Sequence, residues 1–504
     1  MTDATTNNPG TPIAEAEALE TPINTGFGTK GYRAYVLAAL LTVYIFNFID
    51  RTVINILTEP IKESFQVEDW QMGLLGGPAF AILYTLLGIP IARGAERFNR
   101  VLIIASAVAL WSLMTFLCGI ATSFLVLFIF RIGVSIGEAG CTPPAQSLIA
   151  DYFTPRSRAT AISVYSLGVP LGGMLASIFG GFVAGRLDGP VIGALFDSWG
   201  WQWAVNLLDW SAVEGWRVAF VVVGFPGLLV ALLVWLTVRE PPRGYTDPAA
   251  LQNKPKAGFG EVLSILGSKP AYWHVVVGAT IASFIGYGVG QFTTSFMIRT
   301  HDLTIEQAAI VYGVVVGVMA AIGVFSSGYL ADKMSARHPN ALSWLPALGM
   351  GLSVPFYIVG FMADNLWVAL PPLMVAAMIH YYYLGPMYAV ASGVVDSRMR
   401  ATSVAITLFV VNLLGYGLGP PVIGALSTFL KSIVLSGGDL GLTLDACRGA
   451  MAGLSPDETA ACDSADARSL QWSIVIFCCL YAWAALHYLL AGRTLQRDMV
   501  ALSE

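Results

Sequence analysis

The chain has 504 residues, of which 56% are hydrophobic and only 12% charged, and its mean hydropathy is +0.68. Soluble domains carry about 25% charged residues, so this composition excludes one and describes an integral membrane protein. The net charge of −5 gives no footing for nucleic-acid binding, and six cysteines in this length are not a disulfide scaffold.

Residues 1–33 are polar and lack the apolar core of a cleavable signal peptide, so they read as a cytoplasmic tail. Twelve apolar runs follow, at 34–57, 71–92, 101–122, 124–150, 159–184, 216–238, 273–299, 307–331, 343–363, 366–393, 401–430 and 471–492. About 20 apolar residues cross a bilayer as a helix, and a backbone in lipid must satisfy its own hydrogen bonds. The expectation is an all-α membrane protein of twelve transmembrane helices. The first run is long enough to act as its own uncleaved insertion signal.

The first run carries Asp50 and Arg51 behind Asn47, and the fourth carries Arg131 and Glu138. A charge at bilayer depth costs roughly 2.5–3.5 kcal/mol on insertion scales, so it is rare unless it works or is paired. Arg131 and Glu138 are seven apart, about two helical turns, and share one face. Counting from the ends of the runs puts Asp50 and Arg131 at similar depth, where they can pair, and Glu138 lower, facing Asn47 or Tyr44. The four charges sum to zero and are expected to meet across an interior cavity. A static ion-pair network between the two spans is the alternative, although apolar packing meets a stability need more cheaply.

Of the 27 basic residues, eighteen fall in the segments on the N-terminal side and seven in those opposite, with Arg51 and Arg131 inside spans. That bias puts both termini in the cytoplasm. Cys447 and Cys462 then share one outside loop, where a disulfide between them can persist. Cys118, Cys141, Cys478 and Cys479 lie in apolar runs and read as small core residues. The 186–215 loop, also outside, carries Trp199, Trp201, Trp203 and Trp210, which suits a helix lying at the membrane interface. Residues 239–270 read as a cytoplasmic linker between an N-terminal half at 34–238 and a C-terminal half at 271–492, and 493–504 as a second cytoplasmic tail.

The halves repeat. Arg156-Ser157-Arg158-Ala159-Thr160 opens the fifth span, and Arg398-Met399-Arg400-Ala401-Thr402 opens the eleventh, 242 residues later. Ala92-x-x-x-Glu96-Arg97 ends the second span and Gly328-x-x-x-Asp332-Lys333 the eighth, at an offset of 236. Gly168-Val169-Pro170-Leu171-Gly172-Gly173 in the fifth span matches Gly415-x-x-x-Gly419-Pro420 in the eleventh. Such repeats mark alternating-access transporters, with the binding site near the midplane at their interface.

Twelve spans in two pseudo-symmetric halves, the acid-base loop signature after spans two and eight, and the arginine in span four resemble the major facilitator superfamily. Within it, Gly137-Glu138-Ala139-Gly140 through Pro143, Ser147-Leu148-Ile149-Ala150-Asp151-Tyr152-Phe153 with Arg158, and Gly88-Ile89-Pro90-Ile91-Ala92-Arg93 with Asn99-Arg100 resemble the spinster family. The first loop copy departs from the superfamily pattern, with Ala92 and Glu96 where Gly and Asp are usual. The resemblance implies a lipid carrier, of the kind that moves sphingosine-1-phosphate or lysophospholipids, whose cavity is lined by the residues matching Asp50, Arg51, Arg131 and Glu138. Chemistry agrees. Arg51 and Arg131 can attract a phosphate or carboxylate headgroup. Glu138 and Asp50 can take up protons, since burial and a neighbouring arginine pull a carboxylate's proton affinity in opposite directions. By resemblance and by chemistry, Glu96, Arg97, Asp332 and Lys333, near Arg158 and Arg400 and with Asp151 and Asp396, are expected to latch the cytoplasmic side.

The second half is poorer in charge. His380 and Tyr382 in span ten, Tyr287 and Gln291 in span seven, and Asn412 and Tyr416 in span eleven are candidates to line the cavity with Asn47. A histidine beside aromatics is more often a satisfied core residue. A charged first half facing an aromatic second half suits an amphiphile. No His-Glu-x-x-His, no Gly-x-x-x-x-Gly-Lys and no Ser/His/Asp cluster at one depth occurs, so no enzyme is expected, and Gly286-Tyr287-Gly288-Val289-Gly290 reads as packing or a hinge inside a span. The expectation is a secondary carrier of a small amphiphilic anion, coupled to protons, monomeric in the lipid bilayer of a bacterial inner membrane, with no cofactor and no metal. A soluble organic anion or drug as cargo is the alternative.

Overall fold

The structure is a computed structural model that describes residues 26–95, 97–243, 245–246, 258–335, 337–338, 340–396, 399–438, 440–448 and 454–500; at Ile89, Ala92, Pro155, Arg156, Ala159, Asp332 and Ala401 only the backbone is described. Residues 1–25 and 501–504 of the two tails, and residues 244 and 247–257 of the expected linker, lie outside that set. Among the described residues every regular element is helical. Twelve helices are long and apolar enough to cross a membrane: α1 (Lys30–Ile56), α2 (Asp69–Ala95), α3 (Arg100–Cys118), α4 (Phe124–Tyr152), α5 (Thr160–Arg186), α6 (Gly215–Thr237), α7 (Pro270–His301), α8 (Ile305–Ser335), α9 (Ala341–Met362), α10 (Leu366–Gly393), α11 (Thr402–Ser436) and α12 (Pro456–Ala491).

The helix starts follow from capping chemistry. Thr29, Asn99 and Ser123 accept the amide three residues on at the heads of α1, α3 and α4. Thr304 with Gln307, and Ser455 with Glu458, make capping boxes at α8 and α12. Asp302, at φ 52°, ends α7 in the left-handed region and turns the chain into α8.

Helices α1–α6 and α7–α12 form two halves. In the first, Gly224 and Gly227 bring α6 onto Phe116 and Ser112 of α3; in the second, Gly349 and Gly360 bring α9 onto α10 and Gly278 brings α7 onto α12. Small residues let helices approach in lipid, where apolar burial alone gives no preference for a neighbour. A belt of large apolar side chains faces outward, among them Leu125, Phe182, Leu229, Phe325, Trp367 and Phe429.

The halves meet unevenly. We call the end carrying residues 26–30 and 495–498 the termini end, and the opposite end the far end. Toward the far end α2 lies on α11, α5 on α8 and α1 on α7. A Cβ at Gly73 would meet Pro420 and Pro421, one at Gly424 would meet the backbone of Asp69, and one at Gly181 would meet Ala309. One apolar core runs across both halves there, through Val53, Ile61, Leu75, Trp216, Phe292 and Ile474. At the termini end the first half keeps a core of its own around Leu40, Trp111, Leu148, Tyr152 and Val234. Among the described residues no comparable packing joins Thr142–Ser166 to Met319–Ser335 or Leu384–Gly393. The bundle is therefore sealed at the far end and parted at the termini end. Three helices of that seam carry a π turn: Ala176–Gly180 in α5, Gly313–Val318 in α8 and Val411–Tyr416 in α11.

Several boundaries differ from expectation. α12 starts fifteen residues before the apolar run, because Ser455 and Glu458 cap a polar stretch whose buried face carries Cys462, Ala465 and Ser469. Within the expected linker, Phe259–Gly267 is a helix that buries Val262 and Leu266 in the main core. The 186–215 loop holds the helix Gly189–Ser198 with Trp199, Trp201 and Trp203 exposed and Trp210 packed on Gly193. Cys118, Cys141 and Cys478 are buried, whereas Cys479 is exposed on the outer surface and is not a core residue.

Candidate functional site

The four intramembrane charges form two crossed pairs between α1 and α4. Arg51 donates to Glu138 Oε2 through Nη2 at 2.8 Å and Nε at 3.2 Å. Arg131 Nη1 lies 3.5 Å from Asp50 Oδ1 and 3.2 Å from the Asp50 carbonyl. Thr115 of α3 donates to the other Asp50 oxygen. Adjacent residues of α1 thus reach two levels of α4, one pair at each. Asp50, Arg131 and Glu138 are buried. Arg131 Nε has no hydrogen-bond partner among the described residues, and Asn47 stands beside Glu138 without a close hydrogen bond to its Oε1.

Aromatic rings frame these charges. The Arg51 guanidinium lies 5.0, 4.6 and 4.7 Å from the ring centres of Phe48, Phe80 and Tyr84, and that of Arg131 lies 5.4 Å from Phe80. Each such contact is worth about 0.5–2 kcal/mol once desolvated. Tyr416 of α11 stands 5.4 Å from Phe80 and stacks on Tyr287 of α7 at 4.2 Å.

A second charge cluster closes the far end. Arg299 of α7 makes a two-pronged pair with Asp69 of α2, at 2.8 and 3.0 Å, and another with Glu59 at 2.9 Å. Lys62 bonds Asp69 at 3.1 Å and Asp466 at 2.8 Å, Lys431 bonds Asp466 at 2.8 Å, and Arg448 reaches Glu68 at 3.2 Å. Burial and nearby Arg299 act to lower the Lys62 ammonium, but Asp69, Asp466 and Glu59 outweigh them and hold it above the usual lysine range. Lys62 is therefore charged wherever lysines ordinarily are, and loss of its own charge would loosen these pairs only in strong alkali. Burial, then the charge of Glu59, holds Glu63 above the usual carboxylate range. The cluster rims a cavity of about 550 Å³. Cys447 and Cys462 form a disulfide on its wall, with Cα atoms 5.4 Å apart.

Residues 40–420 match the family model of the Major Facilitator Superfamily. A solved bacterial homolog of the human lysosomal transporter Spinster, in an inward-facing and unoccupied conformation, superposes with a TM-score of 0.88 and 44% sequence identity, covering 94% of this chain and 100% of the other. The chain belongs to the major facilitator superfamily and is spinster-like within it. It is also similar to an MFS-type efflux pump of Mycolicibacterium smegmatis, at 30% identity over 79% of this chain and 85% of the pump. Protein spinster homolog 1 of Bos taurus is 24% identical over 80% of this chain and 74% of its own length. The molecule is thus a transporter and not an enzyme.

In this spinster-like transporter the remaining candidates fall in several places. Tyr287 is at the open end of the ring stack. Gln291 is buried, facing Gly76 and donating to Thr58 at 2.6 Å, so it joins the halves rather than facing an open space. His380 is buried between Tyr357, at 2.9 Å, and Tyr481, beside a small cavity of about 30 Å³ within the second half. Tyr382 packs on Gly349, and Asn412 is half-buried in the π turn of α11. Asp151 pairs with Arg100 at 2.5 Å, inside its own half. Arg158 donates to the Ala150 carbonyl and to Thr246. Arg97, Lys333, Asp396 and Arg400 are exposed. Glu96 and the Asp332 side chain lie outside the described residues. Sequence reading missed Thr115, Phe80 and Tyr84, although the i, i+4 spacing of the last two put both on one face of α2.

Proposed function

We propose that this transporter carries a lipid-like anion, a lysophospholipid or a sphingosine-1-phosphate-like amphiphile, by proton-linked alternating access. The observation that carries the reading is the interlocked pairing of Arg51 with Glu138 and of Arg131 with Asp50 at the middle of a bundle sealed at one end. Protonation of Glu138 removes the charge that holds Arg51 and frees its guanidinium for a phosphate or carboxylate. Asn47 Nδ2 and Arg131 Nε are then further donors for a polar headgroup. The rings of Phe80, Tyr84, Tyr287 and Tyr416 suit the start of an acyl chain.

We read the membrane as a bacterial inner membrane, and the excess of basic residues at the termini end supports an orientation with that end in the cytoplasm. On that orientation the sealed far end is outside and the conformation faces inward, the same state in which the bacterial Spinster homolog was solved. The proton serves as the coupling ion, the carrier works as a monomer, and no cofactor is needed. A soluble organic anion or drug as cargo is the second reading, favoured by the likeness to an efflux pump.

Uptake of a labelled lysophospholipid into proteoliposomes, with an imposed proton gradient, tests both. The parent is expected to respond to the gradient, and Glu138→Gln to lose that response with at least about a ten-fold fall in rate. Unchanged rate and pH response in Glu138→Gln would remove Glu138 from coupling. Transport of a sugar acid with no lysophospholipid uptake would select the second reading.

A further inference from the structure

The crossed charge pairs lie wholly in the first half, yet alternating access requires the second half to sense them. Ionic and hydrogen-bonded links between the halves, such as Arg299 to Asp69, Lys62 to Asp466, Gln291 to Thr58 and Asn55 to Tyr312, sit toward the far end. At the depth of Arg51 the halves meet through rings instead. Phe80 of α2 is fully buried, with a guanidinium 4.6 Å from its centre on one side and Tyr416 of α11 5.4 Å away on another. Tyr416, itself buried, stacks on Tyr287 of α7. Cation, ring, ring and ring therefore make an unbroken series of contacts from α1 to α7.

The local structure fits this placement. Tyr416 is the last residue of the π turn Val411–Tyr416, where one extra residue per turn re-aims the side chains that follow. Next to it, Gly417 lies against Ala81, and Gly419 lies against the backbone of Phe284 and Gly288, so α11 seats closely on both α2 and α7. A guanidinium attracts the face of a ring, so Arg51 at 4.6 Å and Arg131 at 5.4 Å together hold Phe80 as it is turned, and withdrawal of the nearer one, Arg51, removes the larger share of that hold. A packed ring seam has two discrete states rather than a graded response, which is what a switch between two access states requires.

We propose that Phe80 and Tyr416 are positioning residues that report the state of the Arg51–Glu138 pair to the second half: the ring seam stays shut while Arg51 rests on Glu138 and opens when Arg51 is drawn off, letting α2 part from α11. This rests on the reading that Glu138 releases Arg51 during transport.

The test uses the full-length carrier in lipid nanodiscs with nitroxides at Thr122 and Asp364, exposed positions at the far end of either half. Double electron–electron resonance follows their separation on acidification in the parent, Glu138→Gln, Tyr416→Phe and Tyr416→Leu. The parent is expected to shift toward longer distances and Glu138→Gln to lose the shift. Tyr416→Phe, which keeps the ring, follows the parent. Tyr416→Leu, which keeps an apolar side chain but no ring, shows a population change at least about five-fold smaller. A full parental shift in Tyr416→Leu, with the shift still lost in Glu138→Gln, overturns the seam and leaves the proton reading standing. A shift that persists in Glu138→Gln, or is absent in the parent, overturns both. Should Tyr416→Leu fail to fold, Tyr287→Leu at the exposed end of the stack takes its place: a shift reduced at least about two-fold supports the seam, and a full shift overturns it.

Discussion

Asp69 shows how much of the sealed state hangs on single side chains. Its two oxygens accept both Arg299 prongs, Lys62 and the Ser427 hydroxyl, and it is buried. Removing one partner of a buried pair strands the other, at about 3–5 kcal/mol, and the Glu59 carboxylate that Arg299 keeps reduces this to about 2–3 kcal/mol. Asp69→Asn is therefore expected to shift the carrier toward opening at the far end, read as a longer Thr122–Asp364 nitroxide distance at neutral pH. An unchanged distance would mean that the apolar core alone seals that end. Residues also differ in how readable they are. Asp50, Arg51, Arg131 and Glu138 stand out in sequence because a charge within an apolar run is costly and so must have a partner. Lys62, Arg299, Lys431 and Arg448 look like ordinary cations at the ends of runs. Hydropathy cannot tell a solvated charge there from one closed in by another helix, so sequence reading used them for orientation and missed the cluster they build.

At the scale of elements, the connection between α11 and α12 acts as a strap on that cluster. Cys447 precedes Arg448, which holds Glu68 of the first half, and Cys462 stands one helical turn before Asp466, which holds Lys62 and Lys431. Leu435, Leu442 and Ala465 bury both cysteines in a small core of their own. Closing a loop of 15 residues is worth about 3 kcal/mol in the chain-entropy model. Replacing both cysteines by serine is expected to lower the thermal midpoint by a few degrees and to sharpen the spectrum of a nitroxide at Leu440, while the central pairs are untouched. An equal midpoint and spectrum would show that the small core holds the strap unaided. The two cysteines were legible as a pair from their shared polar loop. The early start of α12 was not, because a polar capped turn leaves no mark on hydropathy, and the three π turns have no pattern in sequence that separates them from ordinary helix.

At the scale of the whole molecule, the twelve helices and their two-fold repeat were plain in sequence, since both follow from span length and from matched segments such as Arg158 with Arg400. Which end is sealed was not, because one sequence must fit both access states. Residues that permit the sealed state become visible only in three dimensions. Gly73 and Gly424 are the clearest: each brings the α2 and α11 backbones into contact, Gly73 on Pro420 and Pro421, Gly424 on Asp69. Neither has backbone dihedrals that demand glycine, so what they supply is closeness. A leucine at Gly73 has no room in the seam as it stands, and the helices must separate or the far end must distort, at a cost of at least about 3 kcal/mol to the sealed state. A state parted at that end carries no such cost. Gly73→Leu is therefore expected to fold, to give the long Thr122–Asp364 distance at every pH, and to bind but not turn over substrate, because one half of the cycle is closed to it. It and Asp69→Asn act on one equilibrium, so the double variant should show little further change in distance than Gly73→Leu alone. A Gly73→Leu carrier that still gave the parental short distance would show that α2 and α11 are not the faces that must part.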